Sequence, residues 1–167
     1  MRLMIQGTNF SEVADVLRGG GQDIPRSLQR DLRKAARPMQ RAMQAAIIDV
    51  SMTVETRTGT AAGLPSTSGG GLRAAIAGAV RIRPTSVGAI IDVDTGSLGN
   101  RENIPSLIDG QGRWRHPVLG NRRAWVTQWA NPTGWFTQTA VQHGAVVLHY
   151  QQGRSDFYMN RLAGRLG

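Results

Sequence analysis

The chain has 167 residues, a length that suits one domain with a hydrophobic core of its own. It has no cysteine, which excludes disulfide bridges and thiolate zinc sites, and no apolar run near the roughly 18 residues that span a bilayer. Its net charge is +9, and Lys34 is the sole lysine among its 20 basic residues. This balance favours contact with phosphates or acidic proteins, and such arginine usage is equally typical of a GC-rich genome.

The first part of the chain is predicted to form a strand and then helices. Alternating residues in "MRLMIQG" predict a strand, and "SEVADVLRG" predicts a short helix. From Ile24 to Val50, apolar residues recur at three- and four-residue steps, which predicts one long amphipathic helix that Pro38 should bend. The apolar positions are Leu28, Leu32, Ala35, Met39, Met43, Ile47 and Val50. The opposite side carries Arg26, Arg30, Arg33, Arg37 and Arg41.

The middle of the chain combines a loop-like stretch with a hairpin. Residues Thr53 to Gly71 are rich in Gly, Ser and Thr, and we expect a flexible loop there. Candidate assembly positions in this loop are Thr58, Gly59, Leu64 and Gly69. "LRAAIAGA" predicts a short helix, and "VRIRP" with "VGAIIDVD" predicts two strands of a hairpin. Asp92 and Asp94 would share its solvated face, near Arg81 and Arg83.

The last third is predicted to contain a helical turn, a strand and a long helix. "ENIPSLIDG" indicates the helical turn, and "RWRHPVL" alternates as a strand. Asn131 and Pro132 look like the N-cap and first residue of a C-terminal helix. The inward stripe of that helix would consist of Phe136, Ala140, Val147, Tyr150, Phe157 and Leu162. These elements predict a single α+β domain over 1–167, with a small, mainly antiparallel sheet packed against the two long helices.

Residues that could carry chemistry are sparse. His116, His143 and His149 lack the spacing that places metal ligands on one helix face, and no serine lies in a nucleophile elbow. Two aspartates of one strand could act as acid and base, but a solvated pair is the simpler interpretation. We therefore expect no enzyme, no cofactor and no metal.

The segment from Gly112 to Phe136 contains all four tryptophans of the chain, close to several arginines. Three interpretations compete: a surface for nucleic acid, an active site, or a seam between proteins. Aromatic rings among arginines can stack on bases and neutralise phosphates, yet no known nucleic-acid-binding motif is present. Tryptophan and arginine are also enriched at the hot spots of protein interfaces. We expect two of the four tryptophans to be ordinary core residues.

The order of these features resembles a known family. A long basic helix is followed by a Gly/Thr-rich stretch, "GLRAAIAGAVRI", the strand "AIIDVD", and "RHPVLGNRRAWVTQ" before "PTGWF". This order is similar to that of the minor tail or tail-completion proteins of long-tailed bacteriophages, which join head and tail at the neck. The most specific piece spans Arg115 to Phe136, and the order of elements covers most of the chain. The aromatic-glutamate-glycine corner of many relatives is replaced here by "VDTGSLGNRENIPSLIDG".

The resemblance implies a non-catalytic structural virion protein that forms a homo-oligomeric ring at the head–tail junction. It would assemble in the bacterial host cytoplasm with neighbouring neck, tail-terminator or tail-tube proteins and no membrane. Its remaining positive charge would face DNA in the channel or an acidic neighbouring ring. The candidate interface residues are Trp114, Arg115, His116, Arg122, Arg123, Trp125 and Trp129. The alternative is a nucleic-acid-binding protein that uses the arginine-rich helix. A weaker third interpretation is a small enzyme around Asp92, Asp94 and His116.

Overall fold

A computed structural model of the chain describes residues 1–6, 23–56, 59–62, 71–85, 88–118 and 121–166. The short helix predicted over "SEVADVLRG" lies outside these residues, as do Thr58, Leu64 and Gly69. The described elements follow one another in this order: β1 (Arg2–Gln6), α1 (Asp23–Asp49), β2 (Ser51–Thr56), β3 (Gly59–Ala62), α2 (Gly71–Ala79), β4 (Val80–Thr85), β5 (Gly88–Val93), a 3-10 segment (Thr95–Arg101), α3 (Ile104–Gly110), β6 (Arg113–Val118), β7 (Asn121–Asn131) and α4 (Thr137–Leu166). The predicted α+β class is confirmed.

The described strands form two small sheets, whereas the sequence indicated one. One sheet has the order β1-β5-β4, and the other has the order β3-β2-β7-β6. Tertiary contacts group the chain into two compact units. The first comprises Met1, Ala42–Val80 and Val93–Thr139, and the second comprises Arg2–Arg41, Arg81–Asp92 and Ala140–Gly167. Both long helices contribute residues to each unit, so the division falls within α1 and within α4. The single domain over 1–167 stays a prediction.

Helix α1 has the amphipathic character that its sequence predicts. Its buried apolar residues are Leu32, Ala36, Met39, Met43 and Ile47, followed by Val50 just beyond its end. Ala35, predicted for this stripe, is half-buried, and its neighbour Ala36 takes the buried position. Pro38 lies on the exposed side, and the helix continues past it to Asp49. The apolar stripe thus gives α1 a buried face along most of its length.

The first part of the predicted loop from Thr53 to Gly71 is instead a β-hairpin, which corrects the prediction. Strand β2 pairs in antiparallel fashion with β3, with Thr53 opposite Ala62 and Thr56 opposite Gly59. Strand β2 also pairs with β7, so its backbone is bonded on both sides. Composition gave no sign of this hairpin because its small and polar residues are held by a ladder of backbone bonds, which any sequence can supply.

The C-terminal end of α1 is capped by a side chain from the next helix. The guanidinium of Arg73 in α2 donates two hydrogen bonds of 2.9 Å, one to the carbonyl oxygen of Ile48 and one to that of Val50. Gln44 adds a bond of 3.1 Å from its amide nitrogen to the carbonyl oxygen of Ala77. The last carbonyls of a helix lack partners within the helix and carry partial negative charge. Arg73 therefore stabilises the point where α1 gives way to β2.

The N-terminal end of α4 is capped by Asp109, the penultimate residue of α3. Its Oδ1 accepts hydrogen bonds from the backbone N–H groups of Phe136, at 2.7 Å, and Thr137, at 3.2 Å. Its carbonyl oxygen accepts a third bond of 2.7 Å from the N–H of Gly134. The predicted N-cap at Asn131 is therefore wrong, because that residue ends β7 and the helix begins at Thr137.

Two glycines around this junction have backbone conformations that other residues rarely adopt. Gly112 has a φ of +65°, and a Cβ there would lie 2.6 Å from Thr133 Cγ2 and 2.9 Å from the carbonyl oxygen of Ala130. Gly134 has a φ of +79°, and a Cβ there would lie 2.6 Å from the side chain of Gln138. The "GQG" and "PTGWF" motifs are thus explained by the close passage of the chain at this junction.

The inward stripe predicted for α4 is correct only near the start of the helix. Phe136 and Val147 are buried and Ala140 is half-buried, although Phe136 lies just before the helix. Tyr150 and Phe157, by contrast, are exposed, which corrects their predicted inward orientation, and Leu162 has no described side chain. Beyond Val147 the helix therefore leaves apolar residues on the surface.

The cap at Asp109 predicts a specific loss of stability. In Asp109→Ala the N–H groups of Phe136 and Thr137 lose their acceptor, and we expect a loss of about 1 to 3 kcal/mol in the free energy of unfolding. Asp109→Asn keeps an acceptor oxygen and should lose less. Urea denaturation followed by circular dichroism measures both. The exposed Asp94→Ala is the matched control and should change stability by less than about 0.5 kcal/mol; equal losses in Asp109→Ala and Asp94→Ala would contradict the cap.

Candidate functional site

The hairpin of β6 and β7 separates two kinds of side chain onto its two faces. Strand β6 is an edge strand, and it pairs in antiparallel fashion with β7, Trp114 opposite Gln128 and Arg115 opposite Thr127. Trp114 and Ala130 are buried on one face. Since successive residues of a strand point to opposite sides, the other face receives the arginines that alternate with Trp114.

The exposed face of this hairpin carries arginines laid over tryptophans. We call Arg113, Arg115, Arg123, Trp125 and Trp129 the Arg–Trp face; all five are exposed. The guanidinium carbon of Arg113 lies 5.7 Å from the ring centre of Trp129, the residue directly opposite it in the ladder. That of Arg115 lies 5.9 Å from the ring centre of Trp125. Both distances suit cation–π attraction.

These contacts give the face a defined shape while leaving it accessible. Trp125 is 48 % exposed and Trp129 is 40 % exposed, so roughly half of each indole remains open to a partner. An exposed cation–π pair contributes about 0.5 to 1 kcal/mol, which offsets part of the roughly 2 kcal/mol of rotamer entropy that an arginine carries. A partner would therefore meet two half-open aromatic rings with guanidinium groups already placed over them.

The predicted interface residues divide between the two faces. Arg115, Arg123, Trp125 and Trp129 belong to the Arg–Trp face. Trp114 is only 6 % exposed and belongs to the core, and half-buried His116 lies two residues further along the same strand face. Arg122 lies in β7, where only its backbone is described, and Gly59 likewise lies in β3.

Of the four tryptophans, Trp114 and Trp135 are buried, which confirms the prediction that two would be core residues. The indole N–H of Trp135 donates to the carbonyl oxygen of Pro105 at 3.3 Å, and its ring packs edge-on against Phe136. Arg113 was missing from the predicted interface. The alternation of "RWRH" places it on the same side as Arg115 and could have identified it.

Asp92 differs from its predicted environment. It was expected on a solvated strand face, but it is buried in β5 and forms ion pairs with Arg83 and, at 3.9 Å, with Arg2 of the neighbouring strand. The long side chains of these exposed arginines cover the carboxylate, while its Oδ1 has no hydrogen-bond partner within the described residues. Asp94 lies beyond the end of β5 and is exposed, so the two carboxylates do not form the predicted pair on one strand face.

The described residues contain neither a metal-binding cluster nor a helix that could span a membrane. No group of three or more His, Asp or Glu side chains in this part of the chain is arranged to hold a metal ion. None of the helices described here has the length and apolar character needed to cross a membrane.

No protein-family model matches the chain, and comparisons with curated proteins and with solved structures found no match.

The two classes of tryptophan should respond differently to truncation. Trp114→Ala removes a buried ring, and we expect a loss of about 3 to 5 kcal/mol in the free energy of unfolding. Trp125→Ala and Trp129→Ala remove half-open rings with one cation–π contact each, and each should lose about 1 kcal/mol. Urea denaturation of the three variants measures the difference. Equal losses in all three would show that the exposed rings serve stability rather than contact.

Proposed function

We propose that this chain is a structural subunit of a bacteriophage virion that forms a ring at the junction of head and tail, as tail-completion proteins do. It acts by presenting complementary surfaces to its neighbours rather than by catalysing a reaction. The resemblance of "RHPVLGNRRAWVTQ" and "PTGWF" supports the family. The observation that carries the proposal is the Arg–Trp face, on which two half-open indoles lie beneath guanidinium groups.

The Arg–Trp face has the composition of an interface hot spot. Tryptophan and arginine are the residues whose truncation most often weakens protein complexes, and monomeric proteins seldom leave such aromatic clusters open. The second compact unit also has exposed apolar residues, since Val141 in α4 is 81 % exposed and Val146 is 70 % exposed. Each unit therefore offers surface that assembly would bury.

A second copy of this chain is the partner that we assign to the Arg–Trp face. The first compact unit also contains two exposed carboxylates, Asp94 and Glu102, on either side of the 3-10 segment Thr95–Arg101, whose last residue is an exposed arginine. Basic and acidic residues on one subunit allow a head-to-tail contact, and such a contact forms a ring when its rotation brings the last subunit back to the first. In this arrangement, the arginines of one subunit pair with Asp94 and Glu102 of the next.

A charge exchange tests this contact. Arg115→Glu should weaken assembly at least roughly 30-fold, because the loss of one anchor costs about 2 kcal/mol. Glu102→Arg should also weaken it, and the double variant should recover part of the loss. Analytical ultracentrifugation and negative-stain micrographs measure assembly. Arg81→Glu makes the same charge change at an exposed site on the other sheet and should leave rings intact.

The outcomes of this experiment are distinct. Weakening by both single variants and recovery in the double variant would support the head-to-tail contact. If Arg81→Glu weakens assembly to the same degree, the effect comes from net charge alone and the head-to-tail contact is contradicted. If Trp125→Ala and Trp129→Ala rings assemble normally but fail to join heads to tails, the face contacts another neck protein instead of a second copy.

Deletion of the gene tests the function itself. A joining subunit acts through its binding surfaces and catalyses no reaction. Its loss should therefore leave DNA packaging intact and prevent the attachment of tails to heads. We expect lysates with filled or leaking heads and with separate, non-infectious tails. Electron micrographs scored for joined and unjoined particles measure this, and complementation with the intact gene is the control. Joined, infectious particles at normal yield would rule out the proposal.

A further inference from the structure

The exposed side of α1 carries a continuous line of positive charge. Arg30, Arg33, Lys34, Arg37 and Arg41 are all exposed, and we call them the basic stripe. At 100° per residue they fall within about 100° of one another around the helix axis, and at 1.5 Å per residue they span about 16 Å. All five lie in the second compact unit, whereas the Arg–Trp face lies in the first.

The basic stripe has no acidic counterpart in the structure described here. Asp31, the nearest acidic residue in the helix, lies about 60° from Lys34 around the axis, but it is buried and takes part in another interaction. Within the described residues, none of the five cations forms an ion pair. Like charges so close together repel one another, so the stripe lowers the stability of the isolated subunit unless an anion binds to it.

The surface next to the stripe is concave. Gln29, Arg30, Arg33, Lys34 and Arg37 line an open depression of about 400 Å³. Four of these five side chains are cations, and the amide of Gln29 can donate hydrogen bonds to an anionic oxygen. The depression therefore suits an anion that presents several oxygens, as a phosphate group does.

We propose that the basic stripe binds the phosphate backbone of nucleic acid without regard to its sequence. A duplex carries a phosphate about every 3.4 Å of its axis on each strand, so several phosphates lie within reach of the roughly 16 Å of the stripe. The spacing of the cations thus suits contact with several phosphates at once. The stripe contains no aromatic side chain that could stack on a base, so backbone contact is the mode that its chemistry permits.

An acidic protein is the rival ligand, and the composition of the stripe argues against it. Interfaces between proteins depend on aromatic and apolar anchors at their centres. The exposed positions from Gln29 to Arg41 contain Pro38 as their sole non-polar residue. The Arg–Trp face has the anchors that the stripe lacks, so the two surfaces differ in the class of partner that they suit.

This inference goes beyond the proposed function and does not depend on it. The test uses fluorescence anisotropy of the full chain with a labelled 30-base-pair duplex of random sequence at several salt concentrations. Arg33→Gln/Arg37→Gln should lower the slope of log affinity against log salt by about 1.8, because each lost phosphate contact removes about 0.9. Arg30→Gln/Lys34→Gln should give the same change, and two duplexes of different sequence should bind equally.

The matched control is Arg81→Gln/Arg101→Gln, which removes two exposed arginines outside the stripe and leaves the same net charge. It should retain the wild-type slope. An equal loss of slope in the control would overturn the proposal, because the binding would then follow net charge alone. Displacement of the duplex by polyglutamate at equal charge concentration would also overturn it and would assign the stripe to an acidic protein.

Assembly of the same variants separates this inference from the proposed function. The stripe variants should still form rings, since they leave the Arg–Trp face unchanged. Normal rings with no DNA affinity in the wild-type chain would overturn the inference alone. A subunit that binds DNA through the stripe but never assembles would overturn the proposed function alone.

Discussion

The carboxylate of Asp109 is the contact on which the C-terminal third of this protein depends. It binds the first N–H groups of α4, while the carbonyl oxygen of the same residue holds Gly134. The end of β7, the turn through Gly134 and the start of the longest described helix are thereby fixed to α3. The neighbouring bond from Trp135 to the carbonyl oxygen of Pro105 places a large aromatic residue at the same junction. A negative group at the N-terminal end of a helix is also favoured by the helix dipole.

Arg73 has the complementary role at the other long helix. It is a positive group at the C-terminal end of α1, and it binds the carbonyl oxygens of Ile48 and Val50. The C-terminal end of α1 and the N-terminal end of α4 are therefore each capped by a charged side chain from a different element. Neither cap lies next in sequence to the helix end that it stabilises, so each cap links the helix boundary to the tertiary fold.

The concentration of tryptophans beside arginines follows from the strand geometry. One face of the β6–β7 hairpin needs bulky apolar residues such as Trp114 for the core, and the opposite face presents Arg113 and Arg115 to solvent. Trp125 and Trp129 lie on that second face, where the guanidinium groups cover part of each ring. A single short segment thus supplies both a buried anchor and an outward surface.

The two basic surfaces of the protein belong to different compact units, the basic stripe on α1 to the second and the Arg–Trp face to the first.

Local periodicity in the sequence determined the elements that have a strong pattern of their own. Apolar spacing predicted α1, and alternation predicted β1, the β4–β5 hairpin and the two opposed faces of β6. Which face of β6 is buried was not predicted, since Trp114 and Arg115 were both interface candidates. The exposure of Arg30, Arg33, Arg37 and Arg41 also followed from that spacing. Tertiary structure alone decided the pairing of β2 with β3, the division into two sheets, the start of α4 and the burial of Asp92. The reason is physical: periodicity records which side of an element is apolar, whereas a strand partner, a helix cap or an ion pair comes from residues distant in the chain.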